Sequence, residues 1–496
     1  MTAPAAVPAP PPAPSARPSS PATDRRAALL ARVRARSSGS GERVGPAPLV
    51  AGPRSPGVPA PASFSQEQTW VAQQMAGSTP LHNVSFALHL EGPLDADRLQ
   101  LAAAGLAERH PVLRSSFGTG PAGLEVRPGA HPATRPALRD LSRSADPDRR
   151  ARTRIDALAR TRFDLAAGPP VRTELLRLGA ERHVLMWVAH HCVVDGASFG
   201  VLLDELRALY AGLPHAGGAP ACDGPDFTDF ALRQRQEASG PGRPEALEHW
   251  AGVLKGAVPA ALPPDLPRPA APGHRGHSIP FGLDGTERLR AVAASSGTTL
   301  FAALLAVAGT ALWQHSGGDR LTVGVPMADR GLPGTERLVG PFSTTVPLLL
   351  PFSAGMTGRR LLTEVSGALL DADRYQDVSM AKLVDRLGLP RDPTRNPLFQ
   401  TLVNAGNLPG GACRGFAPDL ALRVEAVPNG TVRMDAELTF ELHGAQVSGR
   451  FEYDQDLYHE TTAAEFVRHF AVLLRTTADH PDLPLAELPR PKTDLG

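Results

Sequence analysis

From Ser63 onward the apolar positions recur with two periods, near 2 and near 3.6 residues, so strands and helices are expected in alternation. Residues 86–90 predict a strand and residues 99–110 a helix. Residues 184–191 form an apolar run of strand length. A turn at Asp195-Gly196 follows it, then a helix over 201–210 with Leu202, Leu206, Leu209 and Tyr210 on one face. After 223–225 a short helix runs through Trp250. Residues 259–272 are rich in proline, which supplies neither helix nor central strand, so they read as a connector. Beyond it the pattern predicts helices over 285–295 and 298–314, a strand over 321–327 and a helix over 357–373. Strands over 438–442 and 447–453 and a helix over 461–479 complete it. Two α/β lobes of similar size are expected, 62–258 and 273–490.

The pattern is absent before residue 62. Residues 1–61 contain 14 prolines and no aromatic residue, too little apolar surface to offset the entropy of ordering, and are expected to be disordered. One island, 24–36, could form a short helix capped at Thr23-Asp24, with Leu29, Leu30 and Val33 among arginines. The tail holds eight Arg against two acids, +6, which leaves 1 − 6 = −5 on the remainder. A basic amphipathic segment on an acidic body fits a docking element, but a solvated tail is the favoured reading.

Composition narrows the function classes. The 496 residues carry a net charge of +1 and 5% aromatics, with no basic stripe or stacking platform, so no nucleic-acid partner is expected. No apolar run approaches the ~18 residues of a membrane span, and no export signal opens the chain. Cys192, Cys222 and Cys413 are too scattered for a disulfide framework or a metal site. A cytoplasmic monomer is the expectation, with no bound metal.

The chemistry concentrates in His190-His191-Cys192-Val193-Val194-Asp195-Gly196, an HHxxxDG run that this composition would produce by chance only about 0.003 times. It closes an apolar strand just before a helix. Alternation sends the two histidines to opposite faces, so they cannot share a metal ion and only one can face a given cavity. A lone histidine on such a strand is ordinarily a core residue, but the doubled histidine, the glycine and the strand–turn–helix setting argue for chemistry. Gly196-Ala197-Ser198-Phe199-Gly200 also fits G-x-S-x-G, the serine-hydrolase elbow. Its serine, however, stands beyond the turn instead of directly on the strand. Cys192 as nucleophile is disfavoured because alternation points it away from His191.

These residues resemble the active-site core of the condensation domains of nonribosomal peptide synthetases. Further matches run in order along nearly the whole chain after residue 62. Ser63-Phe64-Ser65-Gln66 with Trp70 resembles SFAQxRLW, and 109–117 resembles RHExLRTxF. Phe163-Asp164-Leu165 with Gly168-Pro169 is similar to FDLxxGPL, and Thr228-Asp229-Phe230-Ala231 to YxDFA. Val323 through Arg330, then Gly340-Pro341-Phe342, resemble IGxPxAGR…GxF. Gln376-Asp377-Val378 echoes HQDVPFE, and 391–400 resembles RDxSRNPLFQ. Thr344 replaces the Asn of FVNT, Asp329 the Gly of AGR, Arg233 the Trp after YxDFA, and Tyr375 the His of HQDVPFE. Ser379-Met380-Ala381 stands for that motif's Pro-Phe-Glu, so substrate preference is the property these departures put in question.

The resemblance implies an α/β fold of two chloramphenicol-acetyltransferase-like lobes in a V-shaped pseudodimer, with an active-site tunnel between them. It implies substrates carried on the phosphopantetheine of a partner peptidyl or acyl carrier protein, a carrier-bound or small-molecule acceptor, and no bound cofactor. His191 is the expected catalytic residue, as general base or by orienting the acceptor. His190, Asp195, Gly196 and Arg114 are expected to support it, with Arg114 as the cation paired with Asp195 and Gly196 keeping space open beside the reacting atoms. Ser198, Phe342, Thr344 and Thr345 are candidates to line the tunnel. With the chain ending at Gly496, a free-standing condensation enzyme is expected, its donor arriving on a separate protein. An acyltransferase of the HxxxD type using acyl-coenzyme A, and a catalytically silent recruitment domain of the same fold, are the alternatives. The epimerase relatives are disfavoured, because Phe199-Gly200 replaces their Ser-Trp-Arg-type continuation.

Overall fold

Strand Arg182–His190 is buried at every position but its first, because its apolar side chains point to both faces. Such a strand needs cover on two sides, and it lies inside a six-stranded sheet. The order is Arg414–Ala417, Leu420–Ala426, Asn83–Glu91, Arg182–His190, Val171–Arg177 and Ala137–Asp140. All neighbours are antiparallel except the last pair. Helix Pro147–Ala159 packs on the two central strands, and helices Ala96–Arg109 and Gly196–Gly212 pack on each other. Leu99, Leu106, Leu175, Leu185, Val188 and Leu206 centre this first core.

These statements rest on a computed structural model that describes residues 47–491, apart from 53–54, 122, 213–223, 239–243, 329, 354, 377, 393, 407–413 and 444–445. The segment 24–36, most of the tail, Cys222 and Cys413 lie outside the described residues.

The second sheet runs Ser343–Pro351, Arg320–Ala328, Thr401–Gly406, Ala436–His443, Gln446–Asp454 and Gly276–Gly282, with Val258–Pro259 beside Arg320–Ala328. Helix Leu300–Ser316 is apolar on nearly all sides and is buried from Ala302 through Leu312, under helices Gly358–Arg374 and Glu460–Asp479. Among the described residues no single helix is long and apolar enough to cross a membrane.

The chain crosses between the two sheets in its second half. Strand Leu420–Ala426 pairs antiparallel with Asn83–Glu91 and sends Leu420, Leu422 and Val424 into the first core, joined there by Val339 and Phe342. The return is clasped by Asn429, whose Nδ2 donates to the carbonyls of Pro80 and Asn83, both at 3.0 Å. The Pro-rich connector lies against the second sheet. Ala260 N donates to Thr322 O at 2.9 Å, the Tyr458 hydroxyl to Leu262 O at 2.9 Å, and Arg268 pairs with Asp435.

Candidate active site

Strand Arg182–His190 ends where its backbone bonds change partner. His190 N donates to Pro170 O at 2.8 Å, and His191 N donates to His82 O at 2.9 Å. The chain then turns, with Val193 N bonded to His190 O at 3.0 Å. His190 is 1% exposed and holds the turn from inside. Its Nδ1 accepts from Cys192 N at 3.2 Å, and its Nε2 lies 3.3 Å from Gln73 Oε1. Burial, aided by the neighbouring charges of His191, Arg162 and Arg172, pulls its pKa down to about 3, so it is neutral and structural. Gln66 Nε2 donates to Cys192 O at 3.1 Å from the first turn of helix Phe64–Met75, which is set by a capping box at Ser63.

His191, just past the end of the strand, keeps partial exposure. Its Nδ1 is shielded and closes no hydrogen bond, which leaves the Nε2 edge as the accessible one. Burial lowers its pKa and Arg433 adds to the effect, while Asp195 and the carbonyls of His191 and Val194 oppose it. The result is a neutral imidazole at pH 7 with one nitrogen free to accept a proton.

Asp195 is 2% exposed and fully engaged. Its Oδ1 accepts from Ser198 N at 2.7 Å, Ser198 Oγ at 2.7 Å and Arg330 Nη2 at 3.1 Å, and its Oδ2 accepts from Phe342 N at 3.2 Å. Arg330 Nη1 donates to the carbonyls of Thr335 and Leu338 at 2.9 and 2.8 Å, and its guanidinium lies 4.2 Å over the Phe342 ring. The carboxylate thus ties the turn to the loop ahead of strand Ser343–Pro351. It acts as a clamp.

This corrects three expectations. The cation on Asp195 is Arg330, not Arg114, which instead donates to the carbonyls of Ala107 and His131 at 2.7 and 2.5 Å. Ser198 is fully buried in the clamp, and Phe342 is 1% exposed among Phe227, Phe230 and Arg330, so neither lines an open passage. Thr344 is 7% exposed; Thr345 keeps more exposure. Gly196 is exposed, and a Cβ there would meet nothing within 4 Å. The elbow reading fails as well, because the Ser198 hydroxyl serves Asp195 and no histidine. Burial drives the Cys192 thiol pKa far above its usual range, which removes it as a nucleophile.

The profile of the family described as "Condensation domain" matches residues 59–494. The chain belongs to the condensation-domain family. Tyrocidine synthase 3 of Brevibacillus parabrevis is 32% identical over 431 residues, which span 86% of this chain and 6% of that protein. The chain therefore corresponds to a small fraction of the length of such multidomain relatives. The X-domain from teicoplanin biosynthesis, also solved in complex with OxyB, superposes with a TM-score of 0.76 at 25% identity, covering 90% of this chain and 100% of that one. The starter condensation domain of rhizomide synthetase, solved with C8-CoA, gives a TM-score of 0.75 at 20% identity, covering 87% and 98%. The fold is the chloramphenicol-acetyltransferase-like α/β fold of the condensation domains.

Within that fold the motifs become packing contacts. Gly324 lets the Phe399 ring lie against its strand, where an added Cβ would stand 2.5 Å from a ring carbon. At Gly340, in the loop ahead of strand Ser343–Pro351, an added Cβ would stand 2.0 Å from a Phe227 ring carbon. Arg330 and Gln66 were both inside quoted motifs, so their presence was legible and their partners were not. Nothing in the sequence marked Arg433, whose guanidinium holds Glu437 from Nη2 at 2.7 Å and acts electrostatically on His191.

Proposed function

We propose that this condensation domain transfers an acyl or aminoacyl group from a carrier-protein phosphopantetheine thioester to an amine or hydroxyl acceptor. The observation that carries the reading is the neutral His191 imidazole with one accessible nitrogen, fixed by a clamped turn at the end of a buried strand. The thioester is already activated, so the protein's task is to align two reactants and manage one proton. The acceptor oxygen or nitrogen attacks the thioester carbonyl carbon, and a C–O or C–N bond forms as the C–S bond breaks. The acceptor proton passes to His191 and from it to the departing thiolate. Such base assistance is worth ~10²–10⁴ in rate. The donor arrives on a carrier protein, as the resemblance to the condensation domains implies.

The test is intact-protein mass spectrometry of the full chain with acyl-loaded carrier proteins and a panel of amines and alcohols. His191→Ala is expected to lower product formation by about 10²–10⁴-fold while the circular dichroism spectrum is retained. Unchanged turnover by that variant removes the mechanism. Parallel reactions with acyl-coenzyme A alone discriminate the coenzyme A-dependent reading. The likeness to an X-domain solved with a partner protein supports a second reading, a recruitment domain, which predicts no product even in a single turnover.

A further inference from the structure

A cavity of about 280 Å³ opens at the end of the first sheet away from His191. Arg423, His89 and Val184 pair across three neighbouring strands and so share one face. Glu91 and Arg182, a pair two residues further on, lie on the same face. Helix Pro147–Ala159 packs over it and adds Asp148, Ala151, Arg152 and Ile155 to the walls. At ~3.3 Å per residue, the six steps from Val184 to His190 put the cavity about 20 Å from the turn that carries His191. Neither that turn nor the Asp195 clamp uses any of these residues.

Charge decides what fits. Three guanidiniums from three separate elements line the cavity, against the carboxylates of Asp148 and Glu91. Asp148 is held by Arg182. Glu425, just outside the lining, is bonded by Arg152 Nη1 at 2.7 Å and by His89 Nε2 at 2.8 Å. Burial lowers the pKa of His89, so its ring is neutral at pH 7. Arg423 is left over. It approaches Glu425 only to 3.7 Å, its guanidinium closes no hydrogen bond among the described residues, and its side chain is 47% exposed. A fork of N–H donors at the mouth of a walled cavity suits an oxyanion, which can take two of them at once. A cation would meet three arginines, and a wholly apolar ligand would leave the donors of Arg423 unused.

We propose that this cavity is a second ligand site, separate from the His191 centre. It takes a small oxyanion, a carboxylate or a phosphate ester, on Arg423, with a short carbon chain against Ala151, Ile155 and Val184. Arg423 stands on the strand that crosses from the second half of the chain, so an occupant ties that strand to helix Pro147–Ala159. The site goes beyond the condensation reading and does not depend on it.

The test is isothermal titration calorimetry of the full chain with sodium butyrate, with inorganic phosphate and with butyramide, the uncharged twin of butyrate, at constant ionic strength. The Arg423 Nε–H signal, assigned by its loss in Arg423→Gln, is followed by ¹⁵N spectroscopy in the same titrations. One equivalent of butyrate or of phosphate is expected to bind and to move that signal, and butyramide is not. Binding of phosphate alone assigns the natural ligand to the phosphate esters, and binding of butyrate alone to the carboxylates. Arg423→Gln removes only a loose surface ion pair, so its urea midpoint is expected near that of the parent while anion affinity falls about tenfold. Arg360→Gln, at a side chain 71% exposed and outside the cavity, is expected to leave affinity unchanged. His191→Ala is expected to bind the anion as the parent does, so failure of the condensation reading leaves this site untouched. The proposal is overturned by no saturable binding of either anion, by undiminished affinity in Arg423→Gln, or by butyramide binding as tightly as butyrate. An equal loss in Arg360→Gln would mean general screening of surface charge, and a loss in His191→Ala would place the anion at the other centre; either overturns it too.

Discussion

Two arginines that look interchangeable in the sequence do different work. Arg330 closes an ion pair on a carboxylate that is 2% exposed, whereas Arg114 donates to backbone carbonyls. Removing one partner of a buried pair strands the other charge, so Arg330→Ala is expected to cost about 3 kcal/mol in urea unfolding and to abolish turnover. Arg114→Ala is expected to lower stability while leaving kcat near the parent value; equal loss of turnover in both variants would contradict the assignment of the clamp. His191 carries a second expectation at this scale. Its pKa is lowered first by burial and then by Arg433, so the acid limb of kcat/KM is expected below the ~6.5 of an ordinary imidazole. Replacing the Arg433–Glu437 pair together, as Arg433→Met with Glu437→Gln, removes the cation without stranding the acid. The acid limb is then expected to move to higher pH, and a limb that stays in place would assign the shift to burial alone.

At the scale of elements, the strand that ends at His190 and the helix after Gly196 were legible because each is set by local pattern: an apolar run, a turn, then leucines at helical spacing. The turn of the strand order was not. Leu420–Ala426 shows modest alternation, and nothing local says that its partner is Asn83–Glu91, more than three hundred residues earlier in the chain. The strands Ser116–Gly120 and Gly123–Arg127 escaped for a related reason, since three glycines in ten residues leave little apolar signal. Site residues divide the same way. His191 and Asp195 were readable from one short run, while Arg330 was found in a motif with its partner unknown, because pairing across 135 positions is a property of the packed chain. The crossing strand carries its own prediction. Asn429 ties its return to the start of His190's partner strand through the carbonyls of Pro80 and Asn83, beside the bond from Val427 N to Ser85 O, and its own Oδ1 accepts from Thr431 N at 2.9 Å. Asn429→Ala is expected to cost about 1–3 kcal/mol and to raise amide exchange at Pro80-flanking residues Leu81–Asn83 before the rest of the first sheet. Uniform exchange across both sheets would show that the clasp is not local.

For the whole molecule, the placement of neutral histidines inside the fold sets how it responds to acid. His190, pulled down to about 3, and His315, pulled down to about 4, stay unprotonated in the native state where an unfolded imidazole has already taken its proton. His82 and His191 shift in the same direction. The unfolded chain therefore binds more protons below pH ~6.5, and native stability falls as pH drops from that value toward each folded pKa, by about 1.4 kcal/mol per pH unit for each such histidine. Carboxylates with lowered pKa, such as Glu174 and Glu205, lose their contribution only below the ordinary carboxylate range, and Glu452, raised by burial and by Glu437, acts with the opposite sign. A comparison of two proteins that differ at one histidine cancels these shared terms. His190→Gln preserves a polar partner for Gln73 and removes one titrating ring. The loss of stability between pH 7.5 and pH 5.0, measured by urea unfolding, is expected to be about 2 kcal/mol smaller in this variant than in the parent. Equal losses in the two proteins would mean that His190 is protonated in the native state. The turn beneath His191 would then be held by a charged ring that donates from both nitrogens, and the bond from Cys192 N to its Nδ1 could not exist.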